Sequence, residues 1–154
     1  MITVYTDGVF DLFHFGHARS LEQAKKVFPN VYLKVGVCKD IDVWKHKGPT
    51  VMKYEERCKC VSHCKWVDEI IYDAPWVIDE QFLIDQNIDY VAREDSPYVT
   101  TNGDGEFVAD AYHVPKRLNK FVEIHRTPQI STTDLIDRIV KNVDVYSERN
   151  LKRA

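Results

Sequence analysis

Two histidines three residues apart, His14 and His17, bracket Phe15 and Gly16 in the run FDLFHFGHARS, residues 10–20. A single histidine near the start of a helix is usually an ordinary polar residue. Two of them around a glycine, shortly after the turn-like TDG of residues 6–8, suggest something more specific. Gly8 and Gly16 allow the backbone to come close to a ligand. A helix N-terminus presents unpaired N–H groups and a partial positive charge, which together favour phosphate. Imidazoles placed there can donate hydrogen bonds to phosphate oxygens and stabilise charge that builds up in a transition state. The pattern therefore points to a phosphate site.

Such a site needs a strand before it and a helix after it, and the flanking sequence has both. ITVYTD (2–7) is short, β-branched and aromatic, as a strand should be. The stretch 18–28 has Leu21, Ala24, Val27 and Phe28 at helical spacing and stops at Pro29. Further strands are expected at VYLKVGV (31–37), DEIIYD (68–73), IDYVAR (88–93) and KFVEIHR (120–126). Helices are expected over 53–67, with Tyr54, Cys60, Val61, Cys64 and Val67 facing inward, and over 79–86. A further helix over 106–118 must be kinked or split to accommodate Pro115. The last begins at STTD, a cap signal at Ser131. Residues 40–52 and 96–105 read as loops. Strands alternating with helices imply an α/β fold: a Rossmann-like, doubly wound parallel sheet of about five strands with helices on both faces. Residues 1–154 form one domain on this reading. In such sheets ligands bind at the carboxyl ends of the strands, which is where the histidine loop emerges.

Composition narrows the class. With 44% apolar and 29% charged residues the chain has the make-up of a globular protein, and its net charge of −3 argues against a nucleic-acid partner. No apolar run approaches the roughly 20 residues of a membrane span. The N-terminus lacks the features of a signal peptide, so a cytoplasmic or nuclear location is expected. Cys58, Cys60, Cys64 and His63 lie together and invite a zinc reading. On a helix, however, Cys58 and Cys60 point about 200° apart, whereas a structural zinc site needs four convergent ligands. Buried free thiols are the expectation, and disulfides are disfavoured in a reducing compartment.

HFGH has the HxGH form of a nucleotidyltransferase superfamily, and RTPQIST (126–132) resembles that superfamily's second signature, RTxGIST. HKGPTVM, KWVDEI, APW and SPY follow in the order and near the spacing seen in cytidylyltransferases that activate phosphocholine, and the closing VDVYSERNLKR is similar too. The resemblance covers essentially the whole chain. It implies transfer of CMP from CTP to phosphocholine, giving CDP-choline and pyrophosphate by in-line attack on the α-phosphate. By that resemblance His14, His17, Lys47 and Arg126 are catalytic. Gly8, Val9, Phe10, Arg93, Thr127, Ile130, Ser131 and Thr132 join the histidines and Arg126 around the nucleotide. Asp7, Trp76, Tyr98 and Tyr112, with Lys47, form the phosphocholine pocket. Mg²⁺ is expected as the counter-ion of the triphosphate, with Asp11 a possible ligand.

The head of the acceptor separates choline from ethanolamine. A trimethylammonium donates no hydrogen bonds and is best held by aromatic faces near a carboxylate. Asp7, Trp76, Tyr98 and Tyr112 favour choline on that ground, while KHKGP and VTTNGDG resemble the phosphoethanolamine branch. Three positions depart from the family pattern: Gln129 replaces a glycine, Arg93 a histidine and His125 a glutamine. Gln129 and Arg93 keep open a nucleotide-binding module without turnover. KWVDEI, Lys65 to Ile70, resembles a dimer interface, so a homodimer is expected. The chain closes at NLKRA without the membrane-binding amphipathic helix of many relatives, as expected of a catalytic fragment or of a form that lipid does not regulate.

Overall fold

The computed structural model describes residues 1–94, 99–101 and 107–154, with the backbone alone at 99–101 and 107–109. Five parallel strands form the main sheet: β1 (Ile2–Gly8), β2 (Val31–Cys38), β3 (Glu69–Ala74), β4 (Tyr90–Arg93) and, later in the chain, β7 (Phe121–Glu123). Their spatial order is β3-β2-β1-β4-β7. The chain winds outward from β1 through β2 to β3, then returns to the other side of β1 for β4 and β7. The crevice between the carboxyl ends of β1 and β4 is therefore the topological switch point, where open α/β sheets bind ligands.

Consecutive residues of β1 show how both faces are covered. Val4 packs with Leu21 and Ala24 of α1 (Phe15–Lys25) and with Cys58 and Val61 of α3 (Tyr54–Ser62). Its neighbour Tyr5 points the other way, toward Leu83 of α4 (Glu80–Asp85), Ile78 and Tyr112. All of these except Cys58, Leu83 and Tyr112 are completely buried, and those three are nearly so. Gly36 of β2 is dictated by this packing, because a Cβ there would lie 2.1 Å from the Tyr5 hydroxyl. No helix among the described residues is long and apolar enough to cross a membrane.

Three expectations need correction. Residues 40–52 are not all loop, since Asp40–His46 form a short helix, α2. Its apolar residues gave no helical stripe: Val43 is buried, while Ile41 and Trp44 face solvent. The stretch 106–118 is not a kinked helix. Phe107–Asp110 form β6, antiparallel to β5 (Val99–Thr101), and only His113–Arg117 form a helix, α5. Pro115 is the third residue of α5, where a missing N–H leaves no helical bond unmade. The inner face of α3 also differs, because Arg57 and Cys58 are buried with Val61 while Cys60 is only half-buried. The chain ends in α6 (Thr132–Lys141) and α7 (Val143–Arg153), neither of which has a fully buried residue.

Candidate active site

β1 runs out at Gly8, and the chain must turn sharply to enter α1. It does so through two non-glycine residues in left-handed conformation, Phe10 (φ 56°) and Leu12 (φ 49°). Such backbone is costly and persists where the surroundings over-determine it. Here the Phe10 ring, buried in the core, holds the loop down. His14 then caps α1. Its Nδ1 accepts from the Gly16 N–H at 3.1 Å, and its own N–H donates to His17 Nδ1 at 3.2 Å. The two rings stack with centroids 3.8 Å apart. A Cβ on Gly16 would fall 2.9 Å from the His14 imidazole and 2.9 Å from Ile130, so only glycine fits between the histidines.

This capping decides the chemistry of the pair. Each Nδ1 is already an acceptor, so the proton of a neutral ring sits on Nε2 and is available to a ligand. Neutral they are: burial pushes His17 down to about 3, helped by the neighbouring His14 and Arg126. Burial and then Arg126 lower His14 as well. Two hydrogen-bond donors thus stand at a helix N-terminus.

The opposite wall is the segment after β7. Arg126 and Thr127 lead to Gln129, which takes φ 68°. Gln129 stands where the signature has glycine, and it takes the left-handed conformation at the strain cost of a side chain in that region. Ser131 caps α6, accepting from the Asp134 N–H at 3.1 Å. Thr132 Oγ1 donates to the Asp11 carbonyl at 2.6 Å and so joins the two walls. The N-termini of α1 and α6 both face one cavity of about 660 Å³. Gly8, Val9, Phe10, His14, His17, Arg93, Arg126, Thr127, Ile130, Ser131 and Thr132 all line it.

At the far end lie Asp7, Lys47 and Trp76. Asp7 is 2% exposed and accepts from the Tyr112 hydroxyl at 2.5 Å. Arg93 donates to the Asp7 carbonyl at 2.9 Å and brings Nε to 3.8 Å from its carboxylate. Burial raises the Asp7 carboxyl, and Arg93, Tyr112 and Lys47 oppose that rise. Tyr112 itself does not line the cavity; it stands behind Asp7 and orients it. Tyr98 lies outside the described residues.

Asp11, considered above as a metal ligand, has a structural role. Its two carboxylate oxygens accept the N–H groups of Val51 and Met52, each at 2.8 Å. It braces the segment that follows Lys47. Among the described residues no group of three His, Cys, Asp or Glu side chains converges to hold a metal ion. Mg²⁺ asks for less, one or two carboxylates beside substrate phosphates, and Glu94 lines the cavity at the exit of β4.

The sequence did not point to Arg57. Fully buried, it donates to the Val9 carbonyl at 2.7 Å and to Asp40 at 2.6 Å, tying the histidine loop to the start of α2. Its place four residues before Val61 on one helix face was the only signal, and charge obscured it. His46 and Glu94 also line the cavity, and their residue types alone gave no sign of it.

Several known proteins have similar sequences. Choline-phosphate cytidylyltransferase 2 of Arabidopsis thaliana is 55% identical over 153 residues, spanning 99% of this chain and 49% of that protein. Ethanolamine-phosphate cytidylyltransferase of Dictyostelium discoideum is 41% identical over 139 residues, spanning 90% of this chain and 37% of that protein. The chain thus spans less than half the length of either relative. A solved structure, the lipopolysaccharide core biosynthesis protein of Thermoplasma volcanium, shares the fold with a TM-score of 0.62 at 23% identity, covering 82% of this chain and 98% of its own. The cytidylyltransferase-like pattern matches residues 5–138, from β1 into α6, and the chain belongs to that family.

Proposed function

We propose that this chain transfers CMP from CTP to phosphocholine, releasing pyrophosphate and forming CDP-choline. The observation that carries the reading is the histidine pair: two neutral imidazoles, each with Nδ1 engaged by backbone and Nε2–H left to donate, across one cavity from Arg126 and the α6 N-terminus. An oxygen of the acceptor phosphate attacks the α-phosphorus of CTP as the bond to pyrophosphate breaks. The acceptor is already an anion, so no general base is needed. Catalysis is then positioning plus stabilisation of charge on the transferring phosphoryl group. His14 and His17 donate to its oxygens, Arg126 supplies positive charge, and the helix N-termini add theirs. Lys47 lies near enough to Asp7 to influence its carboxyl and serves as the cation shared by both substrates. Glu94, which lines the cavity, would be the carboxylate beside a Mg²⁺ ion carried in with the triphosphate, and that ion would supply charge neutralisation on the pyrophosphate.

Trp76 and the buried Asp7 carboxylate support a choline head, because an aromatic face and a carboxylate suit a cation that donates no hydrogen bond. The higher identity to the choline-phosphate relative than to the ethanolamine-phosphate one supports the same choice. The four free cysteines suit a reducing compartment, cytoplasm or nucleus. The test is pyrophosphate release with CTP and Mg²⁺, given phosphocholine, phosphoethanolamine or no acceptor. Release with phosphocholine is expected, and His17→Ala should lower kcat by about 10²–10³. Preference for phosphoethanolamine would overturn the head assignment. Release with neither would make the chain a nucleotide-binding module.

A further inference from the structure

We propose that His46 is the positioning residue of the acceptor-head subsite, its imidazole stacking on Trp76 to fix the aromatic face that meets the ammonium. The inference rests on the phosphocholine reading above. His46 is the last residue of α2, and its ring lies 4.5 Å from the Trp76 ring at an interplanar angle of 9°. Both rings line the cavity, and Lys47 is the next residue. Three residues earlier Val43, 2% exposed, roots α2 in the same apolar cluster as Trp76. The Nδ1 of His46 is buried without a hydrogen-bond partner among the described residues, so the ring is held there by stacking rather than by a polar bond.

Burial, followed by the charge of Lys45, lowers the pKa of this histidine. A neutral ring on the indole leaves the Trp76 quadrupole to the ligand cation; a charged one would compete for it. The C-terminus of α2 thereby joins two tasks, setting the head wall through His46 and delivering the Lys47 cation beside it.

The test is steady-state kinetics of the wild type, His46→Ala and His46→Phe, with KM for each substrate and kcat measured separately. His46→Ala should raise KM for phosphocholine about fivefold while KM for CTP and kcat stay within about twofold, and His46→Phe, which keeps a stacking ring, should restore the value. His46→Leu, which fills the space without an aromatic ring, stands in if the alanine variant does not fold and should behave like it. An unchanged phosphocholine KM, an equal rise in the CTP KM, or equal impairment by phenylalanine would each overturn the proposal. A wild type inert toward CTP and phosphocholine would instead remove the reading beneath it.

Discussion

His17 serves two purposes at once, and pH separates them. Its Nδ1 completes the cap of α1 while its ring lines the cavity, and the cap needs the neutral ring, since protonation removes the Nδ1 lone pair. In the unfolded chain the imidazole takes up a proton near its usual 6.5, whereas the folded site resists until about 3. The folded state is therefore favoured in full above 6.5, and stability declines as pH falls from 6.5 toward 3. The slope is at most about 1.4 kcal/mol per pH unit. His17→Asn keeps an acceptor for the His14 N–H but does not titrate. Denaturation followed from pH 8 to 4 should show the wild type losing stability relative to this variant only below about 6.5; parallel curves would refute the account. Gln129 offers a test of strain. At φ 68° it occupies backbone that favours glycine, so Gln129→Gly should raise stability by up to about 1 kcal/mol. A lower melting temperature would mean that the glutamine side chain makes up for its backbone.

Among the elements, α2 and the segment after it are held at both ends. Arg57 grips Asp40 at the start of α2 and Val9 in the histidine loop. Asp11 grips Val51 and Met52 beyond Lys47. The cation is thus carried on a span fastened to the loop that carries the histidines, and that span is what sets its distance from them. Asp11→Ala frees two backbone N–H groups and should cost about 2 kcal/mol of stability. It should also raise KM for the acceptor more than for CTP, since the histidine cap remains in place. Thermal melts and kinetics together check this, and an acceptor KM equal to that of the wild type would refute the brace.

For the whole molecule, the sheet order places every wall of the cavity. β1 and β4 part at the switch point, with Asp7 at the exit of one and Arg93 at the exit of the other, joined by a hydrogen bond. We further propose a homodimer through residues 65–70. Part of that segment is committed within the chain: Asp68 accepts from the Leu33 N–H at 2.7 Å, and Trp66 packs against the main core cluster. The exposed Lys65 remains at the surface, with its ammonium 4.6 Å from the Trp66 ring centre. Light scattering should give twice the 18.0 kDa chain mass, and Lys65→Glu should lower it. A monomer mass for the wild type would refute the interface.

Local and periodic features were legible in the order of the amino acids alone. Alternating β-branched strands, the helical spacing of Leu21 and Ala24, and the Ser131 cap depend on neighbours a few residues away, and together they led to a parallel sheet with a phosphate site at its mouth, although the helix ends at Lys25, short of the expected Val27 and Phe28. Gly16 between the histidines belongs with them in part, because one of the two groups that exclude a Cβ, the His14 ring, is two residues off, while the other, Ile130, comes from across the cavity. Tertiary contacts decided the rest. Arg57 looks like one more charge on a helix until Val9 and Asp40 arrive from 48 and 17 residues away. Nor does the order of residues show that Asp11 accepts the N–H groups of Val51 and Met52, or that Tyr112 donates its hydroxyl to Asp7. A short element such as α2, with Val43 its one buried residue, buries too little to leave a period, so its form follows from what packs against it.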